Sequence, residues 1–292
     1  MAAVGAGANQ DAGARRLTAY ALTWRLPMPF WQIAFFVGPL LFLIAVSFFV
    51  VVNYRVEPGF EPANWTKMLG RYIFWKTYGY TFLLASIATV LGTVLAFPAS
   101  YALAFYTSES GRRWALFLLI IPFFTSYVVR IFAWMFLLAR EGVINGAIKY
   151  IGLGPWTMLN TATGTLVGYM TLTLPLVILL QTFALAAIDR RYVEAAHNLG
   201  CSRLRTVFTV VIPLAKVGLI IAALFCFILA FGDFVAPYYL GGSSPPTLPI
   251  MIIDQTKSGQ QWPRAAVVAL TMIVTLFAVA FAFVSLAYRR AR

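Results

Sequence analysis

The chain has 292 residues, of which 61% are hydrophobic, 16% aromatic and only 11% charged, and its mean hydropathy is +0.83. Soluble domains carry about 25% charged residues, so a soluble enzyme is excluded, and Gly, Pro and Cys are too few for collagen, a disordered polymer or a disulfide scaffold. The formal charge of +13 would suggest nucleic-acid binding in a soluble chain, but in a membrane protein it must first be assigned to loops.

Six apolar runs are long enough to cross a bilayer as helices, because a hydrocarbon core about 30 Å thick needs about 20 helical residues. The sequence therefore predicts an all-α polytopic membrane protein, with residues 30–288 as one six-helix domain. Residues 1–29 lack the short apolar run and cleavage site of a signal peptide, so we expect a retained tail, and 289–292 form a second tail. The predicted spans are 31–52, 78–105, 114–139, 164–188, 217–240 and 265–288.

Basic residues predict the orientation of the chain in the membrane. Six spans place both termini on one side, and the loops on that side hold more Lys and Arg than the loops on the other. Arg112 and Arg113 lie in a very short loop, and Arg289, Arg290 and Arg292 follow the last span directly. Because Lys and Arg mark the cytoplasmic side, both termini are expected to be cytoplasmic. Much of the positive charge is then an orientation signal, and nucleic-acid binding is a poor explanation for it.

The sequence offers no set of metal ligands. His197 is the single histidine and has no Cys or His cluster around it, so no metal site is expected. Cys226 lies inside the fifth predicted span and Cys201 lies in the loop before it, so no disulfide is expected between them. We predict no cofactor in this chain.

The loop between the fourth and fifth predicted spans has the pattern of helix, break, helix. Asp189 is a good N-cap for a helix over 190–199, and Gly200 suits the left-handed position that ends a helix. Ser202 can cap a second helix, which runs into Pro213, where the missing N–H should bend the chain. The pattern predicts a compact elbow on the membrane surface.

Residues within this loop carry a family resemblance. The pattern is Glu-Ala-Ala, three residues, Gly, nine residues, then Val-Val-Ile-Pro, and it is similar to the EAA loop of the inner-membrane permease subunits of ABC importers, EAA-x3-G-x9-I-x-L-P. We call residues 189–215 the coupling segment. The matching residues are Glu194, Ala195, Ala196, Gly200 and Pro213, while Val210 and Ile212 replace the usual Ile and Leu.

The resemblance implies the type I ABC importer permease fold and a partner that supplies energy. In that family the short helix of the loop is the coupling helix, which sits in a cleft of a separate ATP-hydrolysing subunit. This chain has no G-x-x-x-x-G-K-[ST] phosphate loop, so we expect a transporter subunit that is not itself an enzyme, with ATP and Mg used by the partner ATPase. Glu194 and Gly200 are expected to transmit the motion, and Ala195 and Ala196 to leave a flat face for the partner.

Further segments resemble the spermidine/putrescine permeases, and in particular the first of the two permeases in such systems. This likeness implies a heterodimer with a second permease, two ATP-binding subunits and an extracytoplasmic solute-binding protein, all at a bacterial inner membrane. A polyamine is the expected cargo. Importers for ferric iron, opines, phosphonates, amino acid derivatives and other organic solutes stay open, because they share parts of these motifs. The segments are 121–134, 142–145, 231–242 and 261–263.

Two charges inside the predicted spans, Arg130 and Asp233, are candidates for the substrate pathway. An ionisable group in a span costs at least about 2.5 kcal/mol, so it normally faces protein or water. The two residues either form a neutralising pair that orients the helices, or Asp233 faces the pathway and attracts a cationic amine. Trp134, Tyr238 and Tyr239 would complete such a path through their ring faces, or they belong to the interfacial aromatic belt.

Two other classes of function are less consistent with the sequence. An ATP-independent channel or ion-coupled transporter would be favoured by inverted repeats or several acidic residues in the spans, and neither is visible. A membrane-embedded enzyme would need a Ser/His/Asp set, a carboxylate pair or a His cluster within the spans. The sequence contains no such set.

Overall fold

The computed structural model describes residues 27–257 and 259–289, which form a helical bundle with one small β-hairpin. Residues 1–26, 258 and 290–292 lie outside the described residues, so the two predicted tails remain predictions. In chain order the elements are α1 (Pro27–Gln32), a π-helical turn (Ile33–Val37), α2 (Gly38–Val46), β1 (Val50–Val52), β2 (Arg55–Glu57), α3 (Ala63–Leu69), α4 (Tyr72–Phe105), α5 (Glu109–Phe124), α6 (Tyr127–Leu138), α7 (Val143–Tyr150), α8 (Ala162–Ala186), α9 (Arg190–Asn198), α10 (Arg203–Thr206), a second π-helical turn (Val207–Val211), α11 (Ile212–Gly232), α12 (Val235–Tyr239), α13 (Leu248–Lys257) and α14 (Trp262–Tyr288).

Four helical segments in the described ranges are long and apolar enough to cross a membrane: Tyr72–Phe105, Ala162–Ala186, Arg203–Gly232 and Trp262–Tyr288. They correspond to the second, fourth, fifth and sixth predicted spans. The helix α5 and the segment Tyr127–Tyr150, which contains α6 and α7, pass the same test only as a pair, and Phe30–Val46 is a shorter apolar helix. The prediction of a helical membrane protein is confirmed, apart from the β-hairpin, whereas the predicted count of six spans stays a prediction and three of those spans differ from single helices.

The first predicted span, 31–52, is wrong beyond Val46, where the helix ends. Val50 to Val52 form strand β1 and pair antiparallel with β2, with Val50 opposite Glu57. Asn53 and Tyr54 join the strands with φ of 49° and 62°, a conformation typical of a two-residue hairpin turn. Three β-branched residues in succession favour a strand over the end of a helix.

The third predicted span, 114–139, is broken between α5 and α6. Thr125 and Ser126 are extended, and the two helical segments meet at 92°. Pro122 has no N–H to donate within the helix, and the Thr125 hydroxyl donates to the Pro122 carbonyl at 3.0 Å. Because this side-chain bond competes with the next helical turn, it helps to end α5.

The fifth predicted span, 217–240, ends early, because α11 stops at Gly232 and Asp233 is extended (φ −77°, ψ 134°). At the other end, the chain does not break at Pro213. A π-helical turn precedes this proline, and the Ile212 N–H bonds to the Val207 carbonyl within it. The wider turn accommodates a residue that cannot donate a helical hydrogen bond, so Arg203–Gly232 runs as one helical segment.

Helices α4, α8 and α11 pack against one another at the centre of the bundle, and α14 packs against α11 and α13. Small buried residues let these helices approach closely. At Gly92 on α4 a Cβ atom would lie only 3.0 Å from the Cys226 sulfur of α11, and Ala96 and Ala222 are completely buried nearby. Such small residues are the usual means by which membrane helices pack.

Candidate functional site

The coupling segment folds into helix, break and helix as predicted. The Asp189 carboxylate accepts a hydrogen bond from the Arg191 N–H at 2.9 Å and so caps α9. The Ser202 hydroxyl accepts from the Arg205 N–H at 3.4 Å and caps α10. Both caps predicted from the sequence are confirmed.

Gly200 ends α9 in a left-handed conformation, with φ of +83°. The Gly200 N–H bonds to the His197 carbonyl at 2.9 Å, and the Cys201 N–H bonds to the Ala196 carbonyl at 3.0 Å. These two bonds form a Schellman motif, which satisfies carbonyls at the helix end. Residues other than glycine adopt this backbone conformation only at a cost. The left-handed turn therefore explains why the EAA pattern has a glycine at this position.

The face of α9 that is open to a partner differs from the predicted one. Glu194 and Ala195 are exposed, whereas Ala196 is only 7% exposed and packs into the chain. Of the two alanines expected to form a flat face, Ala195 alone is available for contact. Glu194 therefore points outward from the segment together with Ala195.

Two leucines of the coupling segment were missed by the sequence reasoning. Leu199 is 85% exposed and Leu204 is 73% exposed, although both stand in a segment rich in arginine. Apolar side chains on a polar segment indicate a surface that another protein covers. The signal in the sequence was a leucine on each side of Gly200 within an arginine-rich stretch.

Asp233 lies at the break between α11 and α12, and three donors surround its carboxylate. One oxygen accepts from the Val235 N–H at 3.1 Å, and the other accepts from the Ala236 N–H at 3.0 Å and from the Tyr127 hydroxyl at 2.8 Å. The residue is 9% exposed. Asp233 thus caps α12 and ties the break to α6; we call this contact the Asp233–Tyr127 clasp.

Arg130 does not pair with Asp233. One guanidinium N–H donates to the Thr171 carbonyl at 3.1 Å, and the guanidinium carbon lies 5.7 Å from the centre of the Tyr127 ring. Within residues 27–257 and 259–289 the ion pair formed is Lys67 with Glu61. The neutralising pair considered from the sequence is therefore not present, because Tyr127 stands between the two charges. Sequence reasoning missed this tyrosine, three residues before Arg130.

The aromatic residues considered for the pathway occupy two places. Trp134 is half-buried and lines a cavity of about 800 Å³ together with Arg130. Tyr239 packs on Phe132 and on Tyr238, with ring centres 5.0 Å apart in each pair, and neither tyrosine lines that cavity. The structure places Arg130 and Trp134 at this cavity, whereas Asp233, which bonds to Tyr127, and the two tyrosines do not line it.

Residues 88–292 match the model of a protein family described as the binding-protein-dependent transport system inner membrane component. The chain belongs to this family. It is a permease subunit of an ABC importer and a multi-pass protein of the bacterial inner membrane. The matched residues include both breaks and the whole coupling segment.

Three relatives of the permease illustrate the range of the family. The spermidine/putrescine transport system permease protein PotB of Escherichia coli is 27% identical over 249 residues, which cover 84% of this chain and 90% of PotB. The inner membrane ABC transporter permease protein YdcU of Escherichia coli is 30% identical, over 77% of this chain and 72% of YdcU. The molybdenum transport system permease protein ModB of Azotobacter vinelandii is 31% identical, over 70% of this chain and 90% of ModB.

Solved structures show the same fold at low identity. A chain of a bacterial ABC transporter that imports alginate superposes with a TM-score of 0.75 at 14% identity, over 97% of the permease and 99% of that chain. A chain of the MetNI methionine ABC transporter gives a TM-score of 0.57 at 16% identity, over 76% and 97%. The resemblance to ABC importer permeases inferred from the EAA loop is confirmed.

Asn145 belongs to one of the segments that resemble the spermidine/putrescine permeases, and its contacts are structural. Its side-chain amide donates to the Ala139 and Trp156 carbonyls, each at 3.0 Å, and its oxygen accepts from the Trp156 N–H at 2.8 Å. The residue is 2% exposed. It holds α7 against the extended segment that leads to α8.

Proposed function

We propose that this chain moves a small organic solute across the inner membrane after an extracytoplasmic binding protein has delivered it, with energy from ATP hydrolysed by a partner chain. The observation that carries the proposal is the coupling segment, whose two helices are both capped at their N-termini and which exposes Glu194, Leu199 and Leu204. The family description includes a binding protein, and one similar alginate transporter was solved with a periplasmic protein. Two ATP-binding subunits, which use ATP and Mg, and a second permease complete the proposed complex.

We further propose six membrane passes with both termini in the cytoplasm. In this topology Phe30–Val46 is the first pass, and the bent pair of Glu109–Phe124 and Tyr127–Tyr150 is the third. The excess of Lys and Arg on the terminal side supports the orientation, because positive loops stay in the cytoplasm. Placing a cysteine in the β-hairpin should make it reactive from outside the cell, while a cysteine in α9 should react only from inside.

The helix α5 supports the proposed second permease. None of its residues is buried within the described chain, although most are apolar. In the assembled transporter this helix is therefore covered by lipid or by another subunit. In a permease heterodimer, α5 would pack on the surface of the second permease. The bend at Thr125 would then lie beside the interior of the complex.

Binding to the ATPase can be tested at Leu199. We expect Leu199→Asp to reduce co-purification of the ATP-binding subunits, because a charge would replace an apolar contact in the proposed interface. Leu153→Asp is the matched control, since Leu153 is also exposed but lies outside the coupling segment. Equal recovery of the ATPase with both variants would contradict the proposed docking surface.

A polyamine is the first candidate cargo. Its support comes from the relatives, several of which are named as spermidine/putrescine permeases at 26–27% identity. Asp233 is the acidic group proposed to serve a cationic cargo. Under this proposal Asp233→Asn lowers uptake of putrescine without dissociating the complex. Full uptake by that variant would leave Asp233 with its capping role alone.

Solutes with an acidic group, such as opines, phosphonates and amino acid derivatives, are the second candidate cargo. The specific observation in their favour is that Arg130 is the charged residue lining the cavity of about 800 Å³, whereas three donors already surround the Asp233 carboxylate.

The decisive experiment on cargo uses the binding protein encoded beside this chain. Its affinity is measured by calorimetry for putrescine, spermidine, opines, phosphonates and ferric complexes. Selective binding of polyamines supports the first candidate, and selective binding of an acidic solute supports the second. Absence of any neighbouring binding protein and ATPase would contradict the importer itself.

A further inference from the structure

A cavity of about 800 Å³, which is open to the surface of this chain, lies between α4, α8 and the break that joins α5 to α6. Its walls are almost entirely apolar, with leucines from α4 and α8, and Trp134 stands on the α6 side. Arg130 is the charged residue among those that line it. A pocket of this size, apolar with few polar groups, has the usual character of a site for a small organic molecule.

The guanidinium of Arg130 has more donors than the described chain satisfies. It carries five N–H bonds, one of which reaches the Thr171 carbonyl, while its Nε is buried and has no partner in the described residues. The nearby carboxylate of Asp233 is held by Tyr127 and two backbone N–H groups. Arg130 also lies in the first turn of α6, where the helix dipole disfavours a cation.

A positive charge in an apolar wall is costly unless an acceptor compensates it. We propose that Arg130 is a specificity-determining residue, which binds a carboxylate or phosphonate group of the cargo as the cargo passes through this cavity. The planar guanidinium can hold either group by two parallel hydrogen bonds. The leucines and Trp134 cover the apolar remainder of the solute. This inference rests on the proposed function and selects the second cargo class, because the same charge repels a polyamine.

The test uses a single cysteine in the cavity, measured in the assembled complex with the second permease and the ATPase. Thr125→Cys supplies the cysteine, since Thr125 lines the same cavity and is exposed, in a background of Cys201→Ser and Cys226→Ala. The rate of labelling is measured with a neutral maleimide in the presence of L-glutamate, 2-aminoethylphosphonate or putrescine. Each ligand is added at about 10 mM, because a passage site is expected to have a dissociation constant on the order of millimolar.

We expect L-glutamate or 2-aminoethylphosphonate to slow labelling several-fold, and putrescine to have no such effect. Arg130→Gln should abolish this protection, whereas Arg130→Lys, which keeps the charge, should retain part of it. A cysteine at Leu153 is the control and should show no protection, because Leu153 is exposed and does not line the cavity. The monodisperse elution of each variant complex shows that it is folded.

Three outcomes would overturn the inference. Protection by putrescine alone would show a cation site. Anion protection in the isolated chain but not in the complex would mean that the second permease supplies the acidic partner of Arg130. Anion protection in maltoside but not in phospholipid nanodiscs would assign the site to a lipid phosphate. In each case an intact complex leaves the proposed function standing, whereas failure of the complex to assemble contradicts the proposed function.

Discussion

The backbone at position 200 restricts which amino acid can stand there, since the φ of +83° at Gly200 is costly for any residue with a Cβ atom. We expect Gly200→Ala to weaken the end of α9 by about 1–2 kcal/mol and to lower the ATP hydrolysis stimulated by ligand-loaded binding protein. Gly200→Asn should retain more activity, because asparagine tolerates this conformation better.

Gly79→Ala is the matched control for this prediction. Gly79 lies inside α4, and no atom stands within 4 Å of the Cβ that alanine would add. Alanine in a helix stabilises relative to glycine, so this variant should be neutral or slightly stabilising. If both alanine variants behaved alike in the ATP hydrolysis assay, the role assigned to the left-handed turn would be wrong.

The Asp233–Tyr127 clasp makes a second prediction at the residue scale. Asp233→Ala leaves two backbone N–H groups and the Tyr127 hydroxyl without their acceptor, at about 1–3 kcal/mol each, whereas Tyr127→Phe removes one bond. Asp233→Ala should therefore lower the thermal unfolding temperature more than Tyr127→Phe. The double variant should show a coupling energy of about 0.5–3 kcal/mol. Strict additivity of the two single changes would contradict the clasp.

At the scale of elements, Asn145 connects α7 to the chain that leads into α8. We expect Asn145→Ala to lower the unfolding temperature of the purified complex by several degrees, because it removes three hydrogen bonds from a buried position. Asn145→Asp should be at least as destabilising, since a buried carboxylate oxygen would replace the NH2 donor and face the Ala139 and Trp156 carbonyl oxygens. Lys149→Ala, on the exposed side of the same helix, is the control and should unfold like the wild type.

The elements of the coupling segment were predictable because caps are local. Asp189, Gly200 and Ser202 each act on a backbone group within five residues, so spacing alone locates them. Their exposure was less predictable, because Ala195 and Ala196 are identical in the sequence and differ only in what packs on them. Tertiary packing, which spacing does not contain, decides that difference.

The breaks in the spans were missed for a physical reason. Hydropathy averages over about 20 residues, and Thr125, Ser126 and Asp233 change that average very little. Their effect comes from hydrogen bonds: the Thr125 hydroxyl bonds to the Pro122 carbonyl, and the Asp233 carboxylate binds backbone N–H groups ahead of it. Averaging of hydropathy also explains why the apolar strand residues Val50 to Val52 were assigned to a span.

At the scale of the whole molecule, three features of the permease have no partner within the described residues. Within the described residues, helix α5 has no buried residue, the coupling segment exposes Leu199 and Leu204 on either side of Gly200, and Arg130 lacks an acceptor at its Nε. We propose that a second permease or lipid, an ATPase and a cargo, respectively, occupy these features. The family resemblance implied all three partners from the sequence, whereas the bare surface of α5 and the unpaired Nε of Arg130 became visible only with the described helices in place.

The central claim is that this chain couples ATP hydrolysis in a partner to solute passage through the coupling segment. The most direct measurement is ATP-driven solute uptake by proteoliposomes that contain the chain, the second permease, the ATPase and the binding protein. The account predicts uptake that requires ATP and the loaded binding protein, and that falls sharply when Glu194→Ala or Gly200→Ala replaces the wild type. Uptake that persists without the ATPase would contradict it.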